Sequence, residues 1–275
     1  MSGVDLTGPL LKLARAERHI DELRREIKAF MAREPHPHGF RVEFEVAADQ
    51  TREYVVYAII RSDPPFEWAL IVGDAINNIR AALDHLVWTI TPVKVRREFR
   101  NKIEFPIYTC RKAFVKHAAP KLEGLSPKHR ALIENVQPYH GADPHIEPLE
   151  VLRRLSNTDK HRLLVSMATA RNLEWVAEAG AKIAFTELST VPLKDGAPVM
   201  RFTASPTTAD LAMQVQAHAE FAIVIQDATR SQFPDAIAAL HGLHWYARDW
   251  IIRHPLELGF DSKPLPYSGL SKSTD

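Results

Sequence analysis

The sequence predicts an α+β fold: a helical core with a β-hairpin and a small antiparallel sheet. Three observations lead there. Long segments near both ends of the first half repeat apolar residues at spacings of three and four. One short segment alternates apolar with charged residues, and the C-terminal third is rich in strand-like runs. Together they predict a single α+β domain over 1–255, with its helical core at about 66–170, strands and a closing helix at about 181–254, and a disordered tail over 256–275.

Leu13, Ala16, Ile20, Leu23, Ile27 and Phe30 form the apolar seam of a first helix. Gly8-Pro9 suits its start, because proline tolerates the first helical turn, and Pro35 and Pro37 end it. Phe40, Val42, Phe44 and Val46 then alternate with Arg41, Glu43 and Glu45, and residues 54–61 are β-branched and aromatic, which makes a hairpin. Asp63-Pro64-Pro65 opens a long helix that Pro92 closes. A basic stretch (Lys94, Arg96, Arg97, Arg100, Lys102) leads into KIEFPIY, which reads as extended. Short helices are predicted at 111–118 and 126–136, then an irregular loop, then a second long helix from near Pro148 to about Ala170. AKIAFTEL, APVMRFTA and LAMQVQAHAEFAIVIQD read as strands, and Ile237, Leu240, His244, Ala247 and Ile251 form the stripe of a closing helix at 234–253.

Bulk properties narrow the function classes. The 275 residues carry a net charge of +1, so no global field draws in nucleic acid or an anionic membrane. Cys110 is the only cysteine, which excludes an internal disulfide and a thiolate metal cluster. The N-terminus lacks a basic start followed by an apolar core, and no stretch approaches the ~18 uncharged apolar residues of a membrane span, so the cytoplasm is the expected location. HExxH, GxSxG and Walker patterns are absent, and 11 glycines leave little for a nucleotide cradle. No cofactor and no metal site is called for.

The segment GDAINNIRAALDHLVW, Gly73 to Trp88, carries the candidate chemistry. With Asp74 at 0° and 100° per residue, Trp68, Val72, Ile76, Ile79, Leu83, Leu86 and Ile90 fall in an arc of about 80°, from roughly 120° to 200°. Arg80, Asp84, Asn77, Asp74, His85 and Asn78 occupy the other side, together with Trp88 and Ala81 and without Lys or Glu. Such a face is expected to be covered, and buried polar groups must then be hydrogen-bonded and buried charges paired. Structurally, Arg80 and Asp84 would form an ion pair at four-residue spacing. Chemically, His85 would transfer protons, Arg80 would anchor an anion, and Asp84 and Asp74 would orient them. A metal held by Asp74, Asn78 and His85 is a third alternative, although Asn is a poor ligand.

A second cluster, LRRLSNTDKHRLL, spans 152–164. As one helix it would have Leu149, Leu152, Leu155, Leu163 and Met167 as its apolar face, with Asp159 inside that face and needing a cation or several donors. Arg80 or His85 is the most economical partner. Alternatively, Ser156–Asp159 is a helix break and Asp159 caps a new helix, with Lys160, His161 and Arg162 its solvated first turn. The candidate substrate-binding residues are Asn77, Asn78, Asp159, Lys160, His161 and Arg162.

The pairing of GDAINNIRAALDHLVW with LSNTDKHR resembles a family of bacterial proteins of actinobacterial type that share GDAxxNxRxALDHLxW and LSNxDKHR. The resemblance covers about residues 66–170 and brings no established activity with it. A second resemblance is to HEPN-type ribonucleases, whose mark is an Arg, four to six intervening residues and then a His, on a helix of an all-α bundle. Arg80 and His85 match that spacing. The resemblance implies metal-independent cleavage of RNA by attack of the ribose 2′-hydroxyl on the adjacent phosphate, with sites meeting across a homodimer. Carried over, His85 would be the proton-transfer group and Arg80 the phosphate anchor; with the orienting role already given to Asp84, the candidate catalytic residues are His85, Arg80 and Asp84. Ala81 departs from the Asn, His or Asp that comes directly after the Arg in that family, and the hairpin and C-terminal strands are additions. The rival expectation is a non-catalytic binding or structural protein whose polar helix face is an internal salt-bridge network. A small-molecule hydrolase or lyase is a third.

Overall fold

A computed structural model describes residues 4–46, 51–98, 103–122, 124–164, 166–176, 182–188, 193–205, 216–225 and 235–253. The fold is α+β, with helices α1 (Thr7–Met31), α2 (Trp68–Ile90), α3 (Val93–Glu98), α4 (Arg111–His117), α5 (Pro127–Asn135), α6 (Pro148–Asp159) and α7 (Ala236–Trp245). The strands are β1 (His38–Val46), β2 (Arg52–Ile60), β3 (Ser166–Val176), β4 (Lys182–Leu188), β5 (Pro198–Ser205) and β6 (Gln216–Ile225). Contacts divide the chain into two compact units: Met1–Arg24, Glu67–Val165 and Gln226–Asp275 form the first, and Arg25–Phe66 with Ser166–Ile225 the second.

The first unit is helical and has α2 against α6, α7 and the π-helical continuation Tyr246–Arg253. All seven residues of the expected α2 stripe are buried. Ala69, Ala75, Ala82 and Val87 are buried as well, so the covered side is wider than the stripe. Small side chains there let neighbouring helices approach closely without a steric penalty. Local chemistry sets the helix starts. Ser126 Oγ accepts from the His129 amide at 3.2 Å ahead of Pro127, and Asp235 Oδ1 accepts from Ala238 at 2.7 Å. The His244 ring, on the predicted closing stripe, is buried and donates from Nε2 to the Leu13 carbonyl at 3.1 Å.

The second unit contains a four-stranded antiparallel sheet in the order β1-β2-β5-β4 and a two-stranded antiparallel ladder of β3 with β6. The hairpin is therefore not separate from the C-terminal strands: β2 also pairs with β5, with Val56 opposite Met200. Tyr54, Val56 and Ala58 alternate along β2 and pack with Val199, Met200 and Phe202, the Tyr54 and Phe202 rings stacking at 4.9 Å. Phe40 and Val42 pack on this core, while Phe44 and Val46 of the same alternation are exposed toward the hairpin tip. Gly196, with φ of 69°, forms the turn that brings Ala197 back onto Ala58, a left-handed conformation that side chains disfavour.

The structure corrects the extent of the second long helix. It ends at Asp159, not near Ala170, and residues 166–176 form β3 paired with β6. The spacing of Leu163 and Met167 continues a helical stripe, but a partner strand some fifty residues downstream competes for the same segment and wins. Asp159 is consequently the last residue of α6 rather than the cap of a new helix. The basic stretch after α2 begins with a short helix of its own, Val93–Glu98, which the sequence reading does not contain. The predicted strand start at 211–215 and the tail at 256–275 lie outside the described residues. Among the described residues no helix is long and apolar enough to cross a membrane.

Candidate functional site

The polar side of α2 is not covered uniformly, which corrects the expectation that the whole face is shielded. In the helical projection, Arg80, Gly73, Asp84 and Asn77 share a sector from roughly 240° to 300°. Segment Ile103–Tyr108 and the C-terminal end of α6 pack on that sector, leaving Gly73 buried, Arg80 and Asp84 half-buried and Asn77 exposed. Asp74, His85 and Asn78, at about 0° to 40°, look away from it. Asp74 and His85 are exposed, as are Leu70 and Trp88, while Asn78 donates to its own helix at the Asp74 carbonyl, 2.8 Å away. His85 lies beside Gly8 at the start of α1: a methyl group there would sit 3.0 Å from its Nδ1. His85 makes no hydrogen bond or ion pair among the described residues.

Within the covered sector, Arg80 and Asp84 form the expected ion pair, Nη2 to Oδ1 at 3.1 Å, with side chains 16% and 33% exposed. The pair also grips the backbone of Phe105 on both sides of its Cα, which periodicity could not reveal. Phe105 donates its amide to Asp84 Oδ1 at 2.8 Å, and its carbonyl accepts from Arg80 Nη2 at 2.6 Å. Just beyond Phe105, Gln137 completes the hold. It donates from Nε2 to the Pro106 carbonyl at 2.9 Å and accepts the Tyr108 amide at Oε1 at 2.9 Å. An extended segment with no neighbouring strand must satisfy its backbone polar groups some other way, and here side chains do it. Gln137 is buried and also donates to Ile133, yet a lone Gln in an irregular loop carries no sequence signal.

Burial pushes the Asp84 carboxyl above its ordinary range, against the opposing pull of Arg80 and the Phe105 amide. A carboxyl raised in the folded state contributes stability in its protonated form. That contribution is complete below the unfolded value of about 3.8 and is lost as pH rises through the folded value. Asp84→Asn removes this dependence. The expected result is a wild-type urea midpoint that falls relative to Asp84→Asn as pH is raised from below 3.8 toward neutrality. A difference that stays flat, or rises, contradicts the assignment.

Asp159 does reach α2, but at Asn77 and Gly73 rather than at Arg80 or His85. Asn77 Nδ2 donates to Asp159 Oδ2 at 2.7 Å, and Ser156 Oγ donates to Asn77 Oδ1 at the long distance of 3.5 Å. A Cβ placed on Gly73 would stand 2.3 Å from Asp159 Oδ1, so the absence of a side chain at 73 is what lets the carboxylate in. His161 and Arg162 come next in an exposed turn.

Between the covered sector, Glu104–Tyr108 and α6 lies a cleft of about 160 Å³. Arg80, Arg153, Ser156, Asn157, Lys160, Glu104 and Tyr108 supply its polar lining. On α6, positions 153, 156, 157 and 160 are i, i+3, i+4 and i+7, a single helical stripe. Arg153, Ser156 and Asn157 are additions to the residues expected from sequence, although the spacing within LRRLSNTDK carries the stripe. Glu150, buried beneath, accepts a bidentate pair of bonds from Arg153 Nε and Nη2, each 2.6 Å, and this bonding raises the Arg153 guanidinium above its usual value. Glu104 pairs with Lys121 at 3.2 Å. Arg80 Nη1 is buried without a hydrogen-bond partner among the described residues. Among those residues no group of three His, Cys, Asp or Glu stands where it could hold a metal.

No protein-family model, no curated protein and no solved structure matches this chain.

Proposed function

We propose that the chain is a non-catalytic binding protein, in which the polar stripe of α2 is an internal network that shapes a cation-lined cleft. One observation carries this reading. Arg80 and Asp84, two of the three residues with catalytic potential, both bond the Phe105 peptide and so hold a cleft wall. The third, His85, is not among the residues lining the cleft. A general base must come within hydrogen-bond reach of the proton it takes, and an anchor and a base that serve one phosphate must face it together. The two stretches GDAINNIRAALDHLVW and LSNTDKHR touch through Gly73, Asn77 and Asp159.

A second reading is favoured by a different observation: the exposed His85 ring has no partner among the described residues and is open to a substrate or to a second copy of the chain. In that reading the protein is a cytoplasmic, metal-independent ribonuclease of the HEPN type that acts as a homodimer on RNA.

RNA cleavage in EDTA separates the two. Purified wild type and His85→Ala, each checked for folding by circular dichroism, are incubated with single-stranded and structured RNA. The binding reading expects intact RNA from both proteins. EDTA-resistant cleavage by wild type that vanishes in His85→Ala overturns it in favour of the ribonuclease.

A further inference from the structure

We propose that the cleft between α2, Glu104–Tyr108 and α6 binds a phosphoryl group, the terminal phosphate of a monoester, through Arg80, Arg153 and Lys160 with Ser156 and Asn157. This rests on the reading of the chain as a binding protein and names what that protein takes. The lining sets three cations against one carboxylate, Glu104, whose Oε1 is engaged by Lys121; Asp84 and Glu150, outside the lining, pair with Arg80 and Arg153 and leave Lys160 as the lining cation without a close carboxylate among the described residues. The α6 stripe presents Arg153, Ser156, Asn157 and Lys160 along one side, and Arg80 comes from α2. The Lys160 ammonium makes no hydrogen bond or close ion pair among the described residues.

Arg80 supplies the need for an acceptor. Its Nη2 is saturated by Asp84 and Phe105, whereas its buried Nη1 has no protein partner among the described residues. A buried donor left unmatched is destabilising, and more so when it carries charge. An anion seated beside Nη1 would match it.

Size and donor number choose among anions. At ~30 Å³ per water, 160 Å³ corresponds to about five waters, well short of the ~300 Å³ at which pockets begin to enclose whole cofactors. A phosphoryl head fits this volume, with the rest of the molecule directed outward. A carboxylate offers two oxygens to the donors on five lining side chains, whereas a phosphate monoester offers three terminal oxygens and close to two negative charges near neutral pH. Arg in this setting is suited to bidentate phosphate contacts.

Isothermal titration of the full chain tests the proposal. The probes are inorganic phosphate, glycerol 3-phosphate, acetate, and an RNA oligonucleotide with a 5′-phosphate or a 5′-hydroxyl, all at matched ionic strength. Saturable binding of phosphate and of the monoester is expected, with none of acetate. Lys160→Gln and Asn157→Ala alter exposed positions and should each weaken phosphate by about tenfold or more. A tighter fit of the 5′-phosphorylated RNA than of glycerol 3-phosphate assigns the phosphoryl group to an RNA end, and the reverse order to a small ester. Phosphate that binds no better than acetate, or variants that bind it as tightly as wild type, overturn the site. RNA cleavage with phosphate binding intact would remove only the non-catalytic reading, so the two failures are distinguishable.

Discussion

Asp84→Ala is expected to lower the unfolding free energy by about 2–4 kcal/mol, and Asp84→Asn by about 1 kcal/mol or less. Alanine removes the acceptor of the Phe105 amide and the partner of Arg80 in one step. Arg80, with its side chain 16% exposed, then keeps a charge opposed only by the Phe105 carbonyl. The partial exposure of Asp84, 33% of its side chain, places the loss below that of a fully buried pair. Asparagine behaves differently because it preserves an oxygen at the Oδ1 position. Burial raises the Asp84 carboxyl above its ordinary value, so exchanging the charge for a neutral amide removes a desolvation cost. Urea unfolding followed by tryptophan fluorescence, with m held constant across variants, measures both. Equal losses in Ala and Asn would show that the ion pair, and not the grip on Phe105, is what matters.

Gly73→Ala is expected to destabilise, against the ordinary helix preference for alanine. In an exposed helix interior, glycine to alanine is favourable by about 1 kcal/mol. At position 73 the new Cβ would stand 2.3 Å from Asp159 Oδ1 and 2.8 Å from its Cγ, so the carboxylate must leave. Its departure breaks the 2.7 Å bond from Asn77 and loosens the end of α6 from α2. A hydrogen bond to a charged acceptor contributes about 1.5–3 kcal/mol, less where the acceptor is partly solvated. The net expectation is a destabilisation of about 1 kcal/mol. In an Asp159→Ala background the three atoms nearest the new Cβ are gone, and Gly73→Ala should then stabilise by up to about 1 kcal/mol. The double-mutant cycle gives a coupling of about 2 kcal/mol between residues far apart in sequence. Asp159 itself sits at the negative end of the α6 dipole, an unfavourable place for a carboxylate unless α2 supplies a donor. Stabilisation by Gly73→Ala in the wild-type background would place Asp159 elsewhere.

Elements with strong local periodicity are legible in the sequence. The α2 stripe from Trp68 to Ile90, the α1 seam and the β1–β2 hairpin arise from spacings within one segment, because helix and strand geometry repeat every 3.6 and 2 residues. The end of α6 is not legible, since LLVSMATA continues a helical spacing while its fate depends on β6. The candidate site is half legible. Angular placement on α2 puts Arg80 and Asp84 together and separates them from His85. It does not say which part of the polar arc is covered, and the Arg153–Lys160 stripe of α6 stands out from its equally polar neighbours only once Glu104–Tyr108 lies against it.

By itself, then, the amino-acid order determined the secondary elements, their apolar faces and the concentration of polar groups on one side of α2. The tertiary structure decided which of those groups acquired partners: Asp84 met a peptide 21 residues away, and Asn77 a carboxylate 82 residues away. The division has a physical cause. Periodicity is imposed by the backbone on neighbours a few residues apart, whereas a buried charge is satisfied by whatever distant segment packing delivers, and that choice belongs to the whole fold.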